Sequence, residues 1–331
     1  MTTDQPPDRL AQPPTAEDVR LCYRLILGRE PESEDVVERH VARARSVAML
    51  RRIFIGSREF IARNWQVLMP GAPRIMPPAS VEAEAPAGML PIMLARIGGY
   101  WNAIGETMPH WSVLTQQRFR PENIARHKDD FYGTGQNDLD LVRGLLAMHS
   151  LPAGPEMRVM EFGCGVGRAT LALAGAFRQV TGCDISAAHL ALAREEAAAR
   201  GVANIAWFRT TIDQPMPDEL CDLWFSRIVL QHNPPPVMGW LLRHAFRRLA
   251  PGGVAIFQVP THAAGYRFAA ADYLAAERPP HMEMHCLPLR IVFGLAAEAG
   301  LEVLDVREDT DVVGDPVRWI SNLFVMRRPA G

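Results

Sequence analysis

Residues 158–174 read Arg-Val-Met-Glu-Phe, then Gly163-Cys164-Gly165-Val166-Gly167, then Arg-Ala-Thr-Leu-Ala-Leu-Ala. An apolar run that stops at three alternating glycines and resumes rich in alanine and leucine predicts a strand, a tight turn and a helix. The turn leaves backbone bare, so a ligand can lie where side chains would otherwise stand. After Pro155 short apolar runs continue to alternate with helical ones, which predicts an α/β fold with a mostly parallel sheet between helices.

The second strand, Gln-Val-Thr-Gly-Cys, ends at Asp184, and Ser186 is placed to cap the helix that follows and stops at Gly201. An acid at that tip can accept both hydroxyls of a ribose, which suits a nicotinamide and an adenosyl cofactor alike. Two residues separate these cofactors. Arg168 stands where a dinucleotide motif has its third glycine, and Glu161 precedes the loop, where an anionic pyrophosphate is repelled and a cationic sulfonium with its ammonium is not.

At this point the chain resembles the class I methyltransferases that use S-adenosyl-L-methionine, over residues 158–328. EFGCGVG is similar to their first motif, CDIS to the second-strand acid, CDLWFSRIVLQHNPP to the fourth strand and its loop, and LAPGGVAIFQVP to the fifth strand with its lead-in. The resemblance implies a Rossmann-like seven-stranded sheet whose last strand, WISNLFVMRR, is antiparallel and inserted between strands five and six. It further implies that Glu161, Gly163, Cys164, Gly165 and Gly167 surround the methionine part. Asp184 would hold the ribose, Ile185 would stack on adenine, Thr211 and Ile212 would stand where the family reads the adenine amino group, and Arg227 would flank the cofactor after the fourth strand.

Methyl transfer from a sulfonium is an in-line displacement in which positioning supplies much of the rate. His232, after the fourth strand, is the first candidate for proton acceptor, and His285 in HMEMHC the second. The stretch from Thr261 to Cys286 is long enough to cover the pocket. Some relatives bind a metal through Glu-x-x-Glu-His at the His232 loop, but Ile228 and Gln231 replace both acids. His281, Glu283 and His285 share one face of an extended segment without forming a recognised ligand set, so no metal is expected. Cys164 has no local base, and a small side chain is what that loop accommodates.

The front of the chain is different. Residues 1–15 are proline-rich and polar and read as a disordered tail. Residues 16–66 form helical patterns, with a Thr15-x-x-Asp18 capping signal, and resemble a short bacterial helical module of unassigned function through Tyr23, Leu27-Gly28-Arg29-Glu30-Pro31 and Ser57-Arg58-Glu59-Phe60. That module accompanies enzymes of surface-polysaccharide assembly. The resemblance points the acceptor toward a sugar hydroxyl in a glycan or lipid-linked saccharide, with peripheral contact to glycan-assembly proteins; a small phenolic or polyketide-like metabolite is the alternative. Residues 67–92, rich in Pro, Ala and Gly, read as a linker, residues 93–150 as a helical lead-in that caps the catalytic domain, and residues 151–331 as that domain.

Composition narrows the classes. With 35 Lys and Arg against 37 Asp and Glu, the chain lacks the basic excess that nucleic-acid binding uses. Five scattered cysteines without a CxxC pair read as reduced cytoplasmic thiols, and no apolar stretch is long enough for a spanning helix. A nicotinamide-binding protein and a non-catalytic adaptor remain as other classes, and nothing in the residues indicates the oligomeric state.

Overall fold

The computed structural model describes residues 9–61, 80–86, 88–276, 281–309 and 319–331. The chain divides into two compact units, Met1–Ile75 and Met76–Gly331.

In the first unit, helices α1 (Ala16–Leu27), α2 (Glu34–Arg43) and α3 (Val47–Ile55) bury Val19, Tyr23, Leu27, Val37, Leu50 and Phe54 against one another. The capping signal is realised: Thr15 accepts from the Asp18 N–H while Asp18 accepts from the Thr15 N–H, and Gly28 ends α1 in the left-handed region. The remaining residues of the module's pattern close the bundle. Arg29 lies 4.8 Å from the centre of the Tyr23 ring and donates to Glu59 and Glu32, each at 2.7 Å. The tail reading does not hold for residues 9–15, because Arg9–Ala11 forms a 3-10 turn and the Gln12 carbonyl accepts from the Val47 N–H at 2.9 Å. Residues 1–8 lie outside the described residues.

In the second unit a seven-stranded sheet runs in the order β4 (Ile205–Arg209), β3 (Gln179–Asp184), β2 (Arg158–Phe162), β5 (Cys221–Ser226), β6 (Leu249–Ala263), β9 (Trp319–Arg327), β8 (Glu302–Glu308). Only β9 is antiparallel to its neighbours, and it lies between β6 and β8 as expected. Because side chains alternate along a strand, each central strand feeds two cores. Met160, Phe162, Trp224, Phe257 and Phe324 pack on one face, and Val159, Leu223, Phe225, Ile256 and Val325 on the other.

The expected linker is too long. Ser80 and Val81 (β1) pair with Arg267 and Phe268 (β7), Glu82 accepts from the Ala270 N–H at 2.7 Å, and helix α4 begins at Met89. Val81, Ala83, Ala85, Met89 and Leu90 pack on the core, so the alanines that suggested a spacer bury apolar surface instead. Helix α4 (Met89–Thr107) then reaches the sheet's carboxyl end, where Asn102 accepts from the Ala187 N–H and so caps the helix after β3.

Candidate active site

The carboxyl ends of the parallel strands open onto a cavity of about 460 Å³, where an open α/β sheet places its ligands. Its floor is the glycine loop. Gly163, Gly165 and Gly167 have φ of 77°, 53° and 82°, the left-handed region that favours glycine, and a Cβ on Gly163 would stand 2.3 Å from Val229. Asp184 holds the loop shut. One carboxylate oxygen accepts from the Gly165 N–H and the other from the Ser186 N–H, both at 2.8 Å. Ile185 and Cys164 complete this wall. Burial pushes the Cys164 thiol well above its usual range, which disfavours the thiolate that a nucleophile needs.

Glu161 is fully buried and accepts from the Thr170 hydroxyl at 2.5 Å. Burial pushes its carboxyl up to about 7. This corrects the electrostatic reading made from the residues alone: near neutrality Glu161 is only partly ionised, and its repulsion of a pyrophosphate is correspondingly weaker. A carboxyl raised by folding costs stability as pH rises from its unfolded value near 4.5 through its folded one. Glu161→Gln is therefore expected to match the parent at pH 4.5 and to exceed it by about 2 to 3 kcal/mol at pH 8. Urea denaturation at both values checks this, and equal midpoints at pH 8 would refute it.

A buried charge network adjoins the loop, and the residues alone did not reveal it. Arg168, the first residue of helix α8 (Arg168–Ala174), pairs with Asp138 at 2.5 Å, Arg227 reaches Asp138 at 3.5 Å, and Arg227 also clasps Asp309 through two bonds of 2.9 and 3.1 Å. The Nε of Arg168 is buried without a partner among the described residues. Asp138, Arg168 and Arg227 all line the cavity. The available signal was Asp138 itself, an acid on the buried face that helix Gly135–Met148 otherwise fills with Leu139, Val142, Leu145 and Leu146. Beside Arg227, Ile228 takes a φ of 59° and is held by Gln258, which accepts from its N–H at 2.9 Å. Such strain in a non-glycine residue concentrates at functional sites.

His232 lines the cavity, its ring 5.3 Å from that of Trp101. Its Nδ1 donates to the Glu283 carbonyl at 2.8 Å, which leaves the lone pair on Nε2, and burial pushes the imidazole down to about 4. It is therefore neutral at pH 7 with its Nε2 lone pair open, and burial makes it a weaker base than a free imidazole.

Four sequence-predicted residues fall elsewhere, the first being Gly167, which packs toward Trp207 while Gly163 and Gly165 line the cavity. Thr211 and Ile212 are not in the wall: Thr211 forms a tight exposed turn with Gln214, Ile212 packs on the core, and Thr210 lines the cavity in their place. His285 also lies outside it. Residues 281–286 alternate as expected, but Met282 and Met284 face the cavity, while Glu283 and His285 turn to a separate network. There His285 donates to Glu283 at 2.9 Å and accepts from Tyr266 at 2.7 Å, and Tyr273 donates to Glu283 at 2.9 Å. No group of three or more His, Cys, Asp or Glu among the described residues could hold a metal ion.

Residues 159–253 match the family described as "methyltransferase domain". Among curated relatives it is similar to trans-aconitate 2-methyltransferase of Paracidovorax citrulli, 31% identical over 183 residues that cover 52% of this chain and 61% of that protein. The protein of the same name from Deinococcus radiodurans is 35% identical over 114 residues, covering 34% of this chain and 41% of its own length. The chain thus spans less than two thirds of either relative. Among solved structures, magnesium protoporphyrin IX methyltransferase from Synechocystis, with bound SAH, aligns at a TM-score of 0.49 and 18% identity over 70% of this chain and 98% of that one. No helix among the described residues is long and apolar enough to cross a membrane.

Proposed function

We propose that the protein transfers a methyl group from S-adenosylmethionine to a small acceptor. The observation that carries this reading is the pairing of a side-chain-free glycine loop, clamped by Asp184, with an array of both charges lining the cavity beside it. That array suits a zwitterionic amino-acid group. Arg168 and Arg227 would meet the carboxylate, Asp138 and Glu161 the ammonium, and the second lone pairs of Asp184 the ribose hydroxyls, with Ile185 against the adenine. The bound cofactor supplies a methyl carbon on a positive sulfur. In transfer the acceptor oxygen would bond to that carbon as sulfur kept the electron pair of the broken bond, and the acceptor's proton would have to leave. His232 Nε2 would take it, held in the right tautomer by the Glu283 carbonyl.

The sugar acceptor expected from the N-terminal module rests on that resemblance, and the residues that carry it bind one another in the bundle. The relatives' names point instead to a carboxylic acid.

Calorimetry with S-adenosylhomocysteine, methylthioadenosine and NAD tests the cofactor. S-adenosylhomocysteine should bind, methylthioadenosine, which lacks the amino-acid group, should bind roughly tenfold or more weakly, and NAD should not bind. In Arg168→Met the first two should converge. Tight NAD binding without S-adenosylhomocysteine binding would overturn the reading.

A further inference from the structure

We infer that the acceptor is a flat, uncharged and largely apolar molecule bearing a hydroxyl, and that Trp101, Met282 and Met284 select it. The inference rests on the methyl-transfer reading above and adds the substrate class.

Polarity is segregated around the cavity. Its charged side chains gather by the glycine loop, where Asp138 holds Arg168 and Arg227 and Asp184 holds Gly165. Around His232 the wall changes. Trp101 is 5.3 Å away, and Met282 and Met284 flank the residue whose carbonyl fixes the imidazole. Leu94 and Ile97 continue the Trp101 face along α4 at helical spacing. An aromatic ring and two polarisable thioethers favour a planar partner, since sulfur and ring faces both interact with aromatic groups.

Beside His232 in the chain stand two polar side chains, Gln231 and Asn233. Asn233 is occupied, donating to the Val229 and Leu230 carbonyls at 3.0 and 3.4 Å. Gln231 keeps a buried side-chain oxygen that has no partner among the described residues. His232 Nε2 is the acceptor set beside Trp101 and the two methionines, and one acceptor in an apolar, aromatic wall suits a single hydroxyl rather than the ring of hydroxyls on a sugar. The two arginines of the cavity wall lie by the glycine loop, where the cofactor's own carboxylate would take them, so the carboxylates of a tricarboxylic acid beside His232 would be desolvated without a cation to meet them. The wall is held rigid from behind by the Glu283–His285–Tyr266 network, which keeps both methionines turned inward.

The test uses the full chain saturated with S-adenosylhomocysteine, whose binding is first established by calorimetry; failure at that step counts against the cofactor reading and takes this inference with it. Naphthol, trans-aconitate and rhamnose are then titrated. Naphthol should bind saturably and the other two should not. Met284→Glu should weaken naphthol roughly tenfold or more while S-adenosylhomocysteine affinity is unchanged, and Trp101→Ala should weaken naphthol likewise. Tighter binding of trans-aconitate or rhamnose, no saturable naphthol binding, or naphthol binding indifferent to Met284→Glu would each overturn the inference.

Discussion

Replacing Gly135 with alanine is expected to lower the unfolding free energy by more than about 3 kcal/mol, at or beyond the upper end of ordinary overpacking. Gly135 opens helix α7 (Gly135–Met148), and a Cβ there would stand 2.2 Å from the carbonyl oxygen of Arg168 and 3.0 Å from its carbonyl carbon. Those are backbone atoms at the start of α8, immediately after the glycine loop, and they cannot swing aside as the end of a side chain can. Relief would require moving one helix against the other, and with it Arg168 and the ion pair to Asp138. Gly144, in the same helix, is the internal control. Nothing lies within 4 Å of a Cβ at that position, so Gly144→Ala is expected to stabilise by about 0.4–1 kcal/mol through helix propensity and a less flexible unfolded chain. Urea midpoints of the two variants should move in opposite directions. An unchanged midpoint for Gly135→Ala would mean that α7 and α8 do not approach as closely as described.

Gly135 also shows what the residues alone could and could not disclose. Nothing local in the helical lead-in marks Gly135 as special, yet the glycine is needed for a close helix contact to a residue more than thirty positions away. Features that depend on local backbone chemistry were legible: the Thr15 capping box, the strand and glycine loop at residues 158–167, and the acid at the tip of β3. The resemblance carried by four motifs also placed the antiparallel last strand. Features that depend on which face meets which were not legible. The alternation in residues 281–286 correctly grouped Glu283 with His285, yet only the packing of Tyr266 and Tyr273 behind them decides that the methionines face the cavity. Thr211 and Ile212 fall outside the wall because the chain after β4 turns at Thr211, which leaves Thr210 in it. The Asp138–Arg168–Arg227–Asp309 network joins side chains from four separate segments, and no local pattern announces it.

Asp184→Asn is expected to damage both the fold and the site, and the two effects can be measured apart. Asp184 is 9% exposed, and its two oxygens each accept a backbone N–H, one from the glycine loop and one from the turn into the next helix. An asparagine has one oxygen and one amino group, so a donor would face a donor at Gly165 or at Ser186. A buried donor left without a partner costs about 1–3 kcal/mol, and the loss should appear as a lower urea midpoint of the ligand-free protein. Cofactor affinity should fall further, roughly a hundredfold or about 2.7 kcal/mol, because a ribose hydroxyl loses a charged acceptor and the loop that carries Gly163 and Gly165 loses its clamp. Calorimetry with S-adenosylhomocysteine reads the second effect directly. If the midpoint falls but affinity does not, Asp184 is a clamp for the loop alone, and the ribose must be held elsewhere. If both fall together, the acid at the tip of β3 serves one geometry twice, shaping the empty loop and then meeting the nucleoside that the loop leaves room for.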